Sequence, residues 1–168
     1  MKVSLYMAIT VDGFIAKENG KTPWSPEEFT SYFNTVKKAG HIIVGRTTYE
    51  AFRPEDFVSM GHPFMVVLTK NSSLKDQEKI KFANSPQSAL NLLAKHGFKE
   101  ALVTGGAKTN TSFLKEKLIS EVFIDVEPLI FGQGSPLFAP GPFDYELELL
   151  GTKNLSSQTI QLHYKLKK

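Results

Sequence analysis

The chain alternates short, almost wholly apolar runs with segments whose apolar residues recur every three or four positions. Val3 to Ile9 is apolar or β-prone at nearly every position and stops at the turn-like Val11-Asp12-Gly13, which predicts a first strand. His41 to Val44, Pro63 to Thr69, Ile80 to Ala83, Ala101 to Val103 and Glu121 to Ile130 repeat that character. The unbroken run PFMVVLT predicts a strand covered on both faces. Ser25-Pro26-Glu27-Glu28 combines a Ser N-cap, Pro at the first helical position and Glu three residues after the cap to bond back to it. Phe29, Phe33 and Val36 follow at i, i+4 and i+7, predicting a helix that buries that stripe and ends near Gly40. Further helices are expected from Gly45-Arg46-Thr47-Thr48, from Ser85-Pro86 with Ala89, Leu92 and Leu93 inside, and over Ala107 to Leu118. After the loop FGQGSPLFAPGP, Tyr145 to Leu150 and Gln158 to Leu166 predict a terminal antiparallel pair. This order predicts an α/β fold with a mostly parallel sheet and antiparallel edges.

At 168 residues, with no repeat of supersecondary length, one domain over residues 1–168 is the expectation. Cysteine is absent, which excludes disulfides, thiolate metal sites, catalytic thiols and iron–sulfur clusters, so redox work would need a borrowed cofactor. The net charge of +3 comes from scattered lysines, with only a short basic tail of Lys165, Lys167 and Lys168, a solvated surface and no nucleic-acid footprint. The first apolar run is too short for a secretory signal and no stretch approaches membrane-spanning length, so a cytoplasmic protein without membrane contact is expected. His41, His62, His96 and His163 lack ligand-like spacing, and no metal site is expected.

Candidate chemistry centres on two places with one design, IIVGRTTYE and ALVTGGAKTN, each a buried strand, a glycine turn and a helix start. In a doubly wound sheet such turns lie where ligands settle, and the free amides of a helix N-terminus favour phosphate. The alternative is that the glycines only close tight strand-to-helix turns. Arg46 is one of two arginines and sits at such a helix start, where its forked donor suits an adenosine 2′-phosphate; the alternative is an ion pair with Glu50 one turn on. No G-x-G-x-x-G, G-x-x-x-x-G-K-[ST] or G-x-S-x-G occurs. Among carboxylates near the crevice, Asp12 follows the first strand, Glu27 and Glu28 open the first helix, and Asp125 and Glu127 share a face of the long strand with Phe123. A carboxylate inside an apolar strand is costly unless paired or used, which singles out Asp125; an edge or solvent-facing position is the alternative.

Taken together, these segments resemble the dihydrofolate reductase superfamily, in the branch of the C-terminal reductase domain of riboflavin-biosynthesis deaminase/reductase enzymes. MAITVDGFIA resembles that branch's opening S-L-D-G-x-I-A, IIVGRTTYEAF its nucleotide-binding G-R-x-T-x-E, and VVLTKN the strand and polar turn that help hold the cofactor's 2′-phosphate. GGAKTNTSFLKEKLISEVFIDVEPLIFGQGSPLF resembles the signature G-G-x-x-L-N-x-S-F-L followed by D-E-L, P, L-G-x-G and P-L-F.

The resemblance implies a three-layer dihydrofolate-reductase-like fold that binds NADPH across the sheet and reduces a small-molecule substrate. Ala8 and Ile15 would lie near the nicotinamide, Gly45, Arg46, Thr47, Thr48, Thr69 and Lys70 around the adenosine phosphates, and Gly105, Gly106 and Ala107 on the pyrophosphate. Trp24 matches the tryptophan beside the substrate cleft. Counting without gaps from Trp24, the acid that grips the pterin in dihydrofolate reductases falls on Phe29, with Glu28 rotated about a quarter turn away. Asp125 aligns with the strand threonine that supports that acid, so either Glu28 or Asp125 is expected to orient or protonate the substrate. Thr30 stands where the riboflavin reductases carry a phosphate-binding arginine, and Thr109 replaces the usual leucine. The expected reaction is NADPH-dependent reduction of a pyrimidine- or pterin-like ring, most like the ribosylamino-uracil phosphate of riboflavin biosynthesis. Dihydrofolate reduction and a non-catalytic nucleotide-binding protein are the alternatives. A homodimer, with PLIFGQGSPLF as its interface, is the expected assembly.

Overall fold

The computed structural model describes residues 1–167; Lys168 of the basic tail lies outside the described residues. The elements run β1 (Lys2–Thr10), β2 (Phe14–Ala16), α1 (Pro26–Ala39), β3 (His41–Gly45), α2 (Arg46–Ala51), α3 (Pro54–Ser59), β4 (Phe64–Leu68), β5 (Ile80–Ala83), α4 (Pro86–Lys95), β6 (Glu100–Val103), α5 (Ala107–Lys115), β7 (Glu121–Glu127), β8 (Ser135–Pro136), β9 (Leu147–Asn154) and β10 (Ile160–Leu166). Eight strands form one sheet in the order β5-β4-β3-β6-β1-β7-β10-β9. Its first six strands are parallel, and β10 runs antiparallel to both β7 and β9. The expected mostly parallel sheet with antiparallel C-terminal strands is therefore present.

Period-two alternation feeds both faces of this sheet. Ile42, Val44, Met65 and Val67 pack with Val36 of α1 and with Met60 at the end of α3, whereas Ile43 and Val66 pack with Ala89 and Leu93 of α4 and Phe113 of α5. Burying a side chain of this size contributes about 1.5–3 kcal/mol, so these two layers hold the three-layer sandwich together. Among the described residues, no helix is long and apolar enough to cross a membrane.

Several local expectations are corrected. The buried positions of α1 are Glu28 and Val36, while Phe29 and Phe33 are only half-buried, so the inward stripe runs through Glu28, Tyr32 and Val36. Leu90 of α4 is buried and Leu92 only partly so. The second helical segment splits into α2 and α3 before Pro54, whose ring fits a helix's first turn but not its interior. Helix α5 stops at Lys115, short of Leu118, as Lys117 turns to a φ of 57°. Strand β7 ends at Glu127, ahead of Ile130, because Pro128 has no N–H to donate and Leu129 N closes a turn onto Glu127 O at 2.8 Å. The loop FGQGSPLFAPGP contributes β8, which pairs with β2.

His41 begins β3 almost wholly buried, its Nδ1 2.8 Å from Ala39 O and its ring 4.5 Å from that of Phe98. Burial pushes its pKa below the ordinary 6.5, and Nε2 has no partner among the described residues. The unfolded chain therefore takes up this proton first, and the stability it confers is full above about pH 7 and declines as pH falls through 6.5. Urea denaturation at about pH 7 and about pH 5 should show a smaller acid loss in His41→Leu than in the wild type.

Candidate functional site

The carboxyl ends of β1, β3, β4 and β6 open onto one cleft of about 1140 Å3. At its floor the two glycine turns touch each other. Gly45 N donates to Gly105 O at 2.8 Å and Thr104 N to Ile43 O at 3.0 Å. A Cβ on Gly45 would stand 2.6 Å from Thr109 Oγ1, and one on Gly105, where φ is 98°, 3.0 Å from Met7 Sδ. Gly45 is thus required by its packing against the facing turn and the start of α5, and Gly105 by its left-handed backbone and the approach of Met7 from β1. Gly106, joined to Gly105 by a cis peptide bond, differs: a Cβ there would meet only Thr48 Oγ1 at 3.5 Å and Ile15 Cδ1 at 3.9 Å, ordinary contacts on the cleft wall. Gly106 also N-caps α5 without a side-chain cap, so the amides at the start of that helix, including Ala107 and Lys108 on the cleft, have no intrahelical acceptor. This end of the cleft suits an anion.

The opposite end is built from α1, β1 and β7. The register aligns Tyr6 with Phe123, Ala8 with Asp125 and Thr10 with Glu127. Ser25 caps α1 by accepting from Glu28 N at 3.2 Å. The expected return bond from Glu28 is absent, because Ser25 N donates instead to Glu127 Oε2 at 2.7 Å. Ser25 Oγ and Thr159 Oγ1 donate to Glu127 Oε1 at 3.0 and 2.7 Å. Glu28 turns into the cleft, 3% exposed, and no side chain among the described residues donates to its carboxyl group. Burial, then Asp125, then Glu127, push it up to about 8. Asp125, fully buried, accepts from the Tyr6 hydroxyl and from Gln161 Nε2, the latter at 2.8 Å. Burial raises Asp125 above the ordinary aspartate range while those two bonds pull it down. Burial and the neighbouring Asp125 raise Tyr6 far above the ordinary tyrosine range, which keeps its hydroxyl a donor.

Of the residues singled out from sequence, Ala8, Ile15, Trp24, Glu28, Phe29, Gly45, Arg46, Thr47, Thr48, Thr69, Lys70, Gly106 and Ala107 line this one cleft. Gly105 lies beneath it, held by its bond to Gly45. Asp125 does not reach the cleft, because Tyr6 stands between; it is neither edge nor solvent-facing. Thr30 is exposed and outside it, its hydroxyl bonded to Pro26 O at 2.8 Å. Glu28 corrects the rotation argument: both it and Phe29 line the cleft, with Glu28 buried and Phe29 half-buried. Arg46 makes the ion pair with Glu50, at 2.8 Å, while still lining the cleft. Asp12 is an exposed loop clamp, accepting from Phe131 N and Gly132 N at 3.2 and 2.7 Å. Phe131 in turn stacks on Trp24 at 5.9 Å, so Asp12 acts on the cleft only indirectly.

Sequence reasoning missed Tyr6, Tyr32, Arg53 and Thr104, all of which line the cleft. Tyr6 carried a signal, since it alternates with Ala8 and Thr10 on the face where Asp125 and Glu127 lie. Tyr32 carried one too, one turn after Glu28; its hydroxyl lies 3.3 Å from Thr104 Oγ1.

The sheet order, the crossed glycine turns and the cleft between them define a dihydrofolate-reductase-like domain. More narrowly, the chain belongs to the RibD C-terminal domain family, whose profile matches residues 1–161. It is 31% identical over 175 residues to YwjB of Bacillus subtilis, an uncharacterized protein, covering 97% of each chain. Dihydrofolate reductase 1 of Haloarcula marismortui is 33% identical over 97 residues, 56% of this chain and 49% of that one. Among solved structures, a Shewanella sp. PV-4 protein assigned to riboflavin biosynthesis superposes with a TM-score of 0.80 at 23% identity over the whole of both chains. The Thermotoga maritima diaminohydroxyphosphoribosylaminopyrimidine deaminase/5-amino-6-(5-phosphoribosylamino)uracil reductase gives 0.75 at 18% identity, over 99% of this chain and 56% of that one. The chain thus has the fold of riboflavin-pathway reductases.

The contact between the turns predicts a specific epistasis. Gly45→Ala should cost about 1–3 kcal/mol, as overpacking does, and adding Thr109→Ala should restore much of it. Chemical denaturation of the two single variants and the double variant checks this.

Proposed function

We propose that this protein is an NADPH-dependent reductase of a pyrimidine- or pterin-like ring, most like the reductase step on the ribosylamino-uracil phosphate of riboflavin biosynthesis. One observation carries the reading: the cleft joins a glycine-lined, anion-friendly end to an apolar end that holds a single buried carboxyl group, Glu28. The residues present fit the dinucleotide. The open side of Gly106 and the uncapped start of α5 suit a pyrophosphate, while Ala8 and Ile15 give the flat apolar wall a nicotinamide needs. Arg46 and Lys70 supply positive charge for a 2′-phosphate; the pair with Glu50 uses Nη1 of Arg46 and leaves the rest of its fork. The cofactor supplies the reducing equivalent as hydride.

The protein's part is to hold the ring and furnish a proton. Trp24, braced by Phe131, and Phe29 line the cleft together with Glu28 and give a substrate ring apolar surface to pack on. A carboxyl group whose pKa lies near 8 is suited to giving a proton to a ring nitrogen at neutral pH. Membership in the RibD C-terminal domain family supports the riboflavin-type substrate. The position of Glu28 favours a second reading, dihydrofolate reduction, because it puts an acid on the helix beside Trp24 after all.

Fluorescence titration should show NADPH binding more tightly than NADH, with Arg46→Ala losing about tenfold in NADPH affinity, the scale of one charge-assisted bond, and little in NADH affinity. Failure of both nucleotides to bind at millimolar concentration would overturn the reading. NADPH oxidation with the ribosylamino-uracil phosphate and with dihydrofolate then separates the substrates, and Glu28→Gln should lower turnover by about 10²-fold or more on either.

A further inference from the structure

We propose that Asp125 and Glu127, each held by donated hydrogen bonds beneath the cleft, are positioning residues that leave the cluster's proton on Glu28, which then offers the substrate ring one O–H donor and one C=O acceptor. The proposal rests on the reductase reading of the cleft.

Three buried carboxyl groups lie between α1 and β7, Glu28 on the cleft and Asp125 and Glu127 beneath it, and their partners divide them. Glu127 accepts from Ser25 N, Ser25 Oγ and Thr159 Oγ1. Asp125 accepts from Tyr6 Oη and Gln161 Nε2, and Lys153, aligned with Gln161 across β9 and β10, adds an attractive charge. Glu28 receives no donor among the described residues. Bonds donated to a carboxylate favour its ionised form, and like charges in a low-dielectric space do not all ionise. The proton therefore falls to the one group without donors. The other groups of the cleft do not reverse this: Tyr6 already donates to Asp125, the Tyr32 hydroxyl is engaged with Thr104, and Arg53 is paired with Glu55 and Asp56. The division has a consequence for recognition. A neutral acid matches a lactam or aminopyrimidine edge, which also pairs one donor with one acceptor, whereas an ionised Glu28 would call for two donors or a cation.

Carboxyl 13C NMR of the protein alone, labelled at Glu and Asp and followed from about pH 4 to about pH 10, tests this without cofactor or substrate. Glu28, assigned by the signal lost in Glu28→Gln, should titrate with a midpoint near 8. In Asp125→Asn its midpoint should fall by about one pH unit or more, a tenfold gain in acidity. The milder Glu127→Gln, which removes that residue's charge and keeps a side-chain oxygen to accept from Ser25, should shift it in the same direction. The inference is overturned if the late midpoint in the wild type survives Glu28→Gln, and so belongs to another carboxyl group, or if neither variant moves that of Glu28. A wild type that oxidises no NADPH would reject the reductase reading while leaving this titration as it is, so the two failures are distinct.

Discussion

The hydrogen bond from Ser25 N to Glu127 organises the site. An N-cap serine with glutamate three residues later normally closes a local box, in which the glutamate carboxylate takes the serine amide. Here the sheet supplies that acceptor from Glu127, 102 residues away, and the helical glutamate is released. Helix α1 is thereby pinned to the end of β7 at the point where its first turn faces the cleft. Glu28 then points inward, with Tyr32 and Val36 below it on the same stripe, and Phe29 becomes a wall.

The far end of the cleft depends on a different constraint, the crossing of two glycine turns. Because Gly45 carries no side chain, β3 can end in direct contact with the turn that follows β6 and still start α2 beside α5. That contact fixes the position of Gly106 and of the uncapped amides that follow it. An anion-friendly end and a proton-bearing end are thus held at the two sides of a single sheet, which matches what a reductase that grips a dinucleotide and an aromatic ring must do.

Much of this was legible in the chain, for reasons that also mark where legibility stopped. The apolar runs and the Ser-Pro helix starts are local signals, and the strands and helices they predict are there. The glycine turns were found because a strand running into paired glycines demands a close approach, although the approach made by Gly45 is to Thr109 as well as to the cleft. Asp125 stood out through the cost of a carboxylate in an apolar strand, and it is indeed paired; its partners Tyr6 and Gln161 lie 119 and 36 residues away, beyond any local rule. Glu28 was turned away by ungapped counting from Trp24, an argument that assumes an unchanged helix entry. The small β2–β8 ribbon was hidden because two- and three-residue strands carry no periodicity.

The cleft holds a buried carboxyl group whose burial favours the neutral form, and the effect on stability can be measured. Glu28 is raised from 4.5 to about 8 in the folded chain, so its contribution to stability is full below about pH 4.5 and is lost as pH rises through about 8. Urea denaturation of the wild type and of Glu28→Gln at about pH 5 and about pH 8 reads this directly. Glu28→Gln should gain on the wild type across that interval, by up to about 1.4 kcal/mol per pH unit. Parallel losses in the two proteins, or a wild type that gains on the variant as pH rises, would contradict the account.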